Sequence, residues 1–208
     1  MKLAGVLRFF AFFWVIVLSL AVVEYLGFKP DTGFLKLKQA AVKSGWYLPA
    51  FYSHIFGSGI ILICGFFQFN GKISLKIHKA LGRIYVYGIL FFAAPGGFVM
   101  TFFINRGTPV LLSFLFQNLL WVIFTIGTII SIKKQDVENH SAMAIRSYSL
   151  AFAAVTLRFY IWLFHIFGTG TSFENNYVII ALLSWIPNLI IAEWVIKRKI
   201  YAASRRRW

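Results

Sequence analysis

Apolar residues gather into six runs separated by polar breaks: Phe9 to Phe28, Phe51 to Phe69, Leu81 to Ile104, Val110 to Ile132, Ala142 to Phe167 and Tyr177 to Ile196. Crossing roughly 30 Å of hydrocarbon at about 1.5 Å per residue takes about 20 residues, so each run predicts a membrane-spanning helix. Most connectors are short. Asn70-Gly71 predicts a tight turn after the second run, Asn105 to Pro109 separates the third from the fourth, and Gly168-Thr169-Gly170 ends the fifth. Successive helices are therefore expected to be antiparallel neighbours. The pattern predicts an all-α integral membrane protein, a six-transmembrane helical bundle forming a single domain over residues 1–208.

The first run has Lys2 and Arg8 before it and a loose small-x-small site at Ser19-Leu20-Ala21, as a signal peptide would. Its apolar stretch continues past that site to Phe28 and is rich in bulky aromatics, which suits an uncleaved anchor. The one long connector, residues 29–50, places Phe34, Leu37 and Ala41 at i, i+3 and i+7 with Lys36, Lys38 and Lys43 around them. That spacing predicts one short extracytoplasmic interfacial helix, with Asp31 or Thr32 as its cap and Trp46 and Tyr47 at the headgroup level.

Composition agrees with a bilayer. The chain is 60% hydrophobic and 13% charged over 208 residues, too little charge to cover a water-soluble surface, and its mean hydropathy is +0.76. A soluble enzyme is excluded on these grounds. The lone Cys64 has no intrachain partner and carries no redox information.

A net charge of +15 suggests an acidic partner until the bases are located. Lys2, Arg8, Lys72, Lys76, Lys79, Arg83, Lys133, Lys134, Arg146, Lys197, Arg198, Lys199 and Arg205 to Arg207 all fall on one side of the six-helix map. Lys29, Lys36, Lys38, Lys43 and Arg106 fall on the other, and Arg158 lies within a run. The bias predicts both termini in the cytoplasm. The basic tail, residues 197–208, reads as a topology signal and an anionic-lipid contact at the cytoplasmic face, with no nucleic-acid role.

Polar side chains inside the runs are the best functional clues, since each costs several kcal/mol unless paired or wet. His54 and His165 fall toward the outer side, His78 and His140 toward the inner. In the second run His54, Gly57, Ser58, Ile61, Gly65 and Gln68 share one helical face, which fits close helix packing or the approach of a flat ligand. His78, Gly82 and Tyr85 share a face of the third, with Arg83 beside them and Pro95-Gly96-Gly97 loosening the helix beyond. In the fifth, Ser147, Arg158 and His165 lie on one face, Arg146 precedes them, and no acid sits in the middle of any run. Arg158 therefore calls for neutral dipoles, a loop acid reaching inward or a bound anion, with Gln117, Asn118 and Asn188, the last beside Pro187, as the expected hydrogen-bond partners.

Three blocks carry a resemblance: His54-Ile55-Phe56-Gly57-Ser58-Gly59 with Gly65 and Gln68; His78 with Gly82-Arg83-Ile84-Tyr85; and His140 with Met143, Arg146-Ser147-Tyr148 and Thr156-Leu157-Arg158. Together they resemble a widespread prokaryotic family of predicted membrane proteins of unknown function, over about Phe51 to Phe159. The resemblance implies architecture and a bacterial inner (plasma) membrane as the location, and no reaction. A looser similarity is to six-helix di-haem b-type cytochromes. It implies His78, His140 and His54 as ligands of haem iron, with Lys79, Arg83 or Arg146 near the propionates.

The leading expectation is a polar interior built from His54, Gln68, His78, Arg83, Tyr85, His140, Arg146 and Arg158 that binds haem b or a quinone in electron transfer, beside a redox partner or a second copy of the chain. Two alternatives stand beside it: a small carrier or channel for an anionic or amphipathic solute, and a non-catalytic assembly partner whose polar residues lock helices together. No phosphate loop, Cys-x-x-Cys, His-Glu-x-x-His or paired intramembrane carboxylates occur, so no catalytic residue is assigned.

Overall fold

The computed structural model describes residues 3–69, 73–167 and 173–204. The Asn70-Gly71 turn, Gly168 to Gly170 and Arg205 to Arg207 lie outside them. The chain divides into two compact units, Met1–Asn105 and Arg106–Trp208. In the first unit, α1 (Leu3–Ala21) tightens into a 3-10 turn at Val22–Tyr25. A second 3-10 segment, Gly33–Lys38, leads into the short α2 (Gln39–Val42). Next come α3 (Tyr47–Gln68), α4 (Leu75–Gly88), a π-helical turn at Ile89–Ala93 and α5 (Ala94–Thr101). The second unit holds α6 (Thr108–Lys133), α7 (Val137–Ala151), α8 (Ala153–Phe167), α9 (Phe173–Leu183) and α10 (Ile186–Ser204).

Five of these stretches are long and apolar enough to cross a membrane: Tyr47–Gln68, Leu75–Thr101, Thr108–Lys133, Val137–Phe167 and Tyr177–Arg198. The remaining apolar helix, Phe9–Tyr25, is shorter. Its α-helical part stops at Ala21, where β-branched Val22 and Val23 and then Glu24 and Gly27 follow, and Phe28 turns to a positive φ of 50°.

α3 is the centre of the first unit and packs against α1, α4, the π turn and α5. Glycines set its approach distances. A Cβ on Gly57 would lie 3.0 Å from Phe92 Cβ and 3.1 Å from the Ala93 amide nitrogen. One on Gly96 would lie 2.5 Å from the Ala50 carbonyl oxygen and 2.8 Å from the His54 amide nitrogen. Small residues at such crossings bring backbones together where lipid offers no hydrophobic drive for association. Ser19 Oγ donates to the Gly59 carbonyl oxygen at 3.1 Å and ties α1 to the same helix.

The connector departs from the expected interfacial helix. Leu37, assigned to the apolar face by α-helical spacing, is 81% exposed, while Leu35 is fully buried with Ala41, Tyr47 and Phe51. The cause is the 3-10 winding of Gly33–Lys38, which starts from Gly33 at φ 52° and changes which side chains point inward. Thr32 occupies the cap position without a side-chain bond. Lys38 Nζ donates to the Phe103 carbonyl oxygen at 3.0 Å and Gln39 Nε2 to that of Pro30 at 2.8 Å, fastening the connector over the aromatic cluster.

In the second unit two helices break. α7 passes to α8 through a turn at Phe152, and α9 passes to α10 at Ser184-Trp185, just before Pro187. Asn188 Nδ2 lies within bonding distance of the Ser149 carbonyl oxygen (3.2 Å), the Ser184 carbonyl oxygen (3.0 Å) and Thr156 Oγ1 (3.0 Å). Thr156 Oγ1 itself donates to the Ser184 carbonyl oxygen. Proline cannot donate to the carbonyl a turn before it, and carbonyls around such breaks take up side-chain donors.

The Gly96 contact predicts that Gly96→Ala separates α3 from α5 and lowers thermal stability in detergent by roughly 1–3 kcal/mol. Gly5→Ala, where no atom lies within 4 Å of the added carbon, is the matched control and is expected to leave stability unchanged or slightly raised. Equal unfolding curves for the two variants would deny the contact.

Candidate functional site

His54 enters the first unit from α3, half-buried, with Nδ1 2.7 Å from the Ala93 carbonyl oxygen and its ring against Gly97. One residue earlier, Ser53 Oγ donates to the Phe92 carbonyl oxygen at 3.0 Å. Both acceptors belong to the π turn that precedes Pro95, where the helical ladder is widened. Because a carbonyl only accepts, Nδ1 carries the proton, and in the neutral ring Nε2 is the basic nitrogen.

At the other end of α3, Gln68 Nε2 donates to the main-chain carbonyl of His78 at 2.9 Å and sits in the notch left by Gly82. Tyr85 is buried next along the same helix, and Arg83 is exposed. Gln68, His78, Gly82 and Tyr85 thus form one neighbourhood. His54 lies fourteen residues away on α3, about 21 Å along the axis.

The second unit holds His140, Arg146 and Arg158. His140 Nδ1 lies 2.9 Å from the Thr128 carbonyl oxygen, which fixes its tautomer as in His54. It lies in the first turn of α7, after a tight turn in which Asp136 caps the Asn139 amide at 2.9 Å and Asn139 Nδ2 donates to Ser131 Oγ at 2.8 Å. Arg146 forms a bidentate ion pair with Glu193 of α10, Nε to Oε1 at 2.5 Å and the terminal nitrogen to Oε2 at 2.9 Å, and faces the Phe124 ring at 5.9 Å. Its charge is matched by a side chain of this unit. Arg158 is exposed on α8 and, among the described residues, has no hydrogen-bond or ion-pair partner. Asn188, expected beside it, serves the helix breaks, and Gln117 Nε2 points to the Leu150 carbonyl oxygen at 3.5 Å. His165 is exposed near the end of α8.

Sequence reasoning missed a polar seam on α6. Ser113, Gln117, Trp121, Thr125, Thr128 and Ser131 repeat at helical spacing, and most face α7, to which α6 is tightly packed. Thr125 Oγ1 and Ser147 Oγ bond at 2.8 Å across this interface, and Trp185 Nε1 donates to Ser113 Oγ at 3.1 Å. One turn apart in the seam, Gln117 Oε1 and Trp121 Nε1 are buried with no partner among the described residues. The four-residue spacing from Ser113 to Thr125 was the available signal. Glu193 was missed because it lies near the end of its run, although α10 carries it level with Arg146. Among the described residues no three His, Cys, Asp or Glu side chains converge as metal ligands.

Two outcomes are expected from this geometry. Arg146→Met and Glu193→Gln, combined in a double-mutant cycle of thermal unfolding, should give a coupling of about 1 kcal/mol, modest because the pair is partly solvated. Zero coupling would deny the pair. Gln117→Leu should be neutral or stabilising, since it removes a buried acceptor that makes no bond and gives up only the long 3.5 Å bond from Nε2 to Leu150.

The profile of the family described as "Predicted membrane protein (DUF2306)" matches residues 51–196. No curated protein and no solved structure matches the chain. The chain belongs to the DUF2306 family of predicted membrane proteins.

Proposed function

We propose that this DUF2306 membrane protein binds redox ligands, b-type haem or quinone, at separate positions in its two units, with His54 as a ligand in the first and His140 in the second, and works in electron transfer. The observation that carries this reading is the shared anchoring of both rings, with Nδ1 held by a main-chain carbonyl at 2.7 Å in His54 and 2.9 Å in His140. A metal-binding histidine commonly donates its other N–H to such a carbonyl, which orients the ring and raises the basicity of Nε2. The donor chemistry therefore fits axial ligation of haem iron, or a hydrogen bond to a quinone oxygen. His78 remains a candidate ligand, with Arg83 and Lys79 as basic neighbours for propionates. In the same proposal the chain crosses the plasma membrane six times with both termini cytoplasmic, on the strength of the one-sided distribution of its Lys and Arg.

A second reading has its own support. The His54 bond to Ala93 and the Gln68 bond to His78 also brace one helix against the next, so the blocks can serve an assembly role with no ligand.

Absorption spectra of the purified full-length protein, with and without dithionite, and organic extraction for quinones separate the two. A Soret band that shifts on reduction, and falls by most of its amplitude in His54→Ala or His140→Ala protein that still elutes as a folded species, is expected for haem. Co-purifying quinone lost in the same variants is expected for the quinone form. Spectra without a Soret band together with extracts free of quinone reject redox binding and favour the bracing role.

A further inference from the structure

We infer that Gly97 is the positioning residue of the His54 imidazole: its missing side chain leaves the Ala93 carbonyl open to the ring and so fixes which ring nitrogen carries the proton. The consequence for a ligand rests on the role proposed above for His54, whereas the geometry of the ring stands apart from it. Nδ1 of His54 lies 2.7 Å from the Ala93 carbonyl oxygen. Ala93 closes the π turn and Gly97 follows it by four residues in α5, so the two lie on one helical face, one turn apart. A helical carbonyl points toward the C-terminus, to the residue four places on, and a Cα–Cβ bond tilts back toward the N-terminus. A side chain at position 97 therefore covers the oxygen at position 93. Glycine uncovers it.

A Cβ at Gly97 would lie 2.9 Å from His54 Nδ1 and 3.1 Å from Cε1, and the third atom it meets, Cγ of the same ring, follows only at 4.0 Å. Both close approaches are to the ring edge that holds the donor. Ordinary carbon contacts need about 3.5 Å, so the ring would have to withdraw by about 0.5 Å, and the directional bond at its edge would go with it. Gly96 differs, although it is the adjacent residue. A Cβ there would meet main chain, the Ala50 carbonyl oxygen at 2.5 Å and the His54 amide nitrogen at 2.8 Å. Gly96 thus sets the distance between α3 and α5, and Gly97 sets the ring. Without the carbonyl bond the neutral imidazole loses the partner that selects its tautomer, and its proton redistributes between Nδ1 and Nε2. A ligand that requires an unprotonated Nε2 on a ring of one direction then finds it in only a fraction of the molecules, and its apparent affinity falls by that fraction.

Two measurements on the full-length protein in lipid nanodiscs test this role. The first is nitrogen NMR of protein isotopically labelled at histidine, with the His54 signals identified by their absence from His54→Ala protein. Wild-type His54 is expected as the single Nδ1–H tautomer and Gly97→Ala as a mixture, so an unchanged tautomer in folded Gly97→Ala protein overturns the inference. The second is a double-mutant cycle of thermal unfolding. Gly97→Ala should lower the melting temperature by a few degrees where His54 is present and leave it unchanged in His54→Ala protein, where the ring is gone. Gly96→Ala, which meets main chain, should cost as much in either background. If Gly97→Ala alone does not fold, a double variant as stable as His54→Ala gives the same coupling. Equal losses in both backgrounds place the clash elsewhere and overturn the inference. Neither readout needs a ligand, so protein free of haem and quinone rejects the proposed binding and leaves the positioning intact. Where a ligand is bound, Gly97→Ala should lower its occupancy severalfold with His54 still in place, and full occupancy overturns the consequence for binding.

Discussion

A main-chain carbonyl in hydrocarbon has no water to turn to, and the details of both units follow from that constraint. An unbroken helix meets it internally. The chain interrupts its helices near Pro95 and Pro187, and at each interruption a side chain from a neighbouring helix supplies a donor. In the first unit Ser53 and His54 reach the carbonyls of Phe92 and Ala93. In the second, Asn188 and Thr156 reach those of Ser149 and Ser184. Close approach is a condition of such bonds, which is why Gly57, Gly96 and Gly97 lie around the first break. The glycine face of α3 and its histidine thus belong to one device.

This device gives the histidines a double character. A ring that braces a widened turn through Nδ1 is also a ring of fixed tautomer and direction, and a ligand site requires the same preparation. Bracing and binding therefore do not compete for one atom. The former uses the protonated nitrogen, and the latter would use Nε2.

The helices were readable because twenty-residue apolar runs leave little freedom in a bilayer, and Pro95 and Pro187 announced two breaks through their missing N–H. The Phe152 break carried no such signal. No glycine or proline lies between Arg146 and Phe167, and the turn coincides with a bond from Asn188 to the Ser149 carbonyl, a tertiary event. Leu35 and Leu37 changed places for a related reason, since a 3-10 segment does not keep α-helical spacing. Within the candidate site, the common face of His78, Gly82 and Tyr85 follows from helical spacing, but the Gln68 bond to His78 and the Arg146–Glu193 pair depend on the axial register of neighbouring helices, which no periodicity within one helix encodes.

With 21 bases and 6 acids, the chain cannot give every cation a carboxylate. Arg146 has one. Some cations also lie against aromatic faces: Arg198 stands 3.7 Å over Trp194 and Arg106 5.6 Å over Tyr177. A ring's quadrupole offsets part of the desolvation of a guanidinium but does not neutralise it. Cations near water complete the balance with solvent and counterions. Arg158, on an exposed helix face flanked by Phe159 and Trp162, has no matched acid among the described residues. Charge excess together with the position of the few acids, Glu193 level with Arg146 and none level with Arg158 among the described residues, explains how two arginines of one composite helix come to such different surroundings.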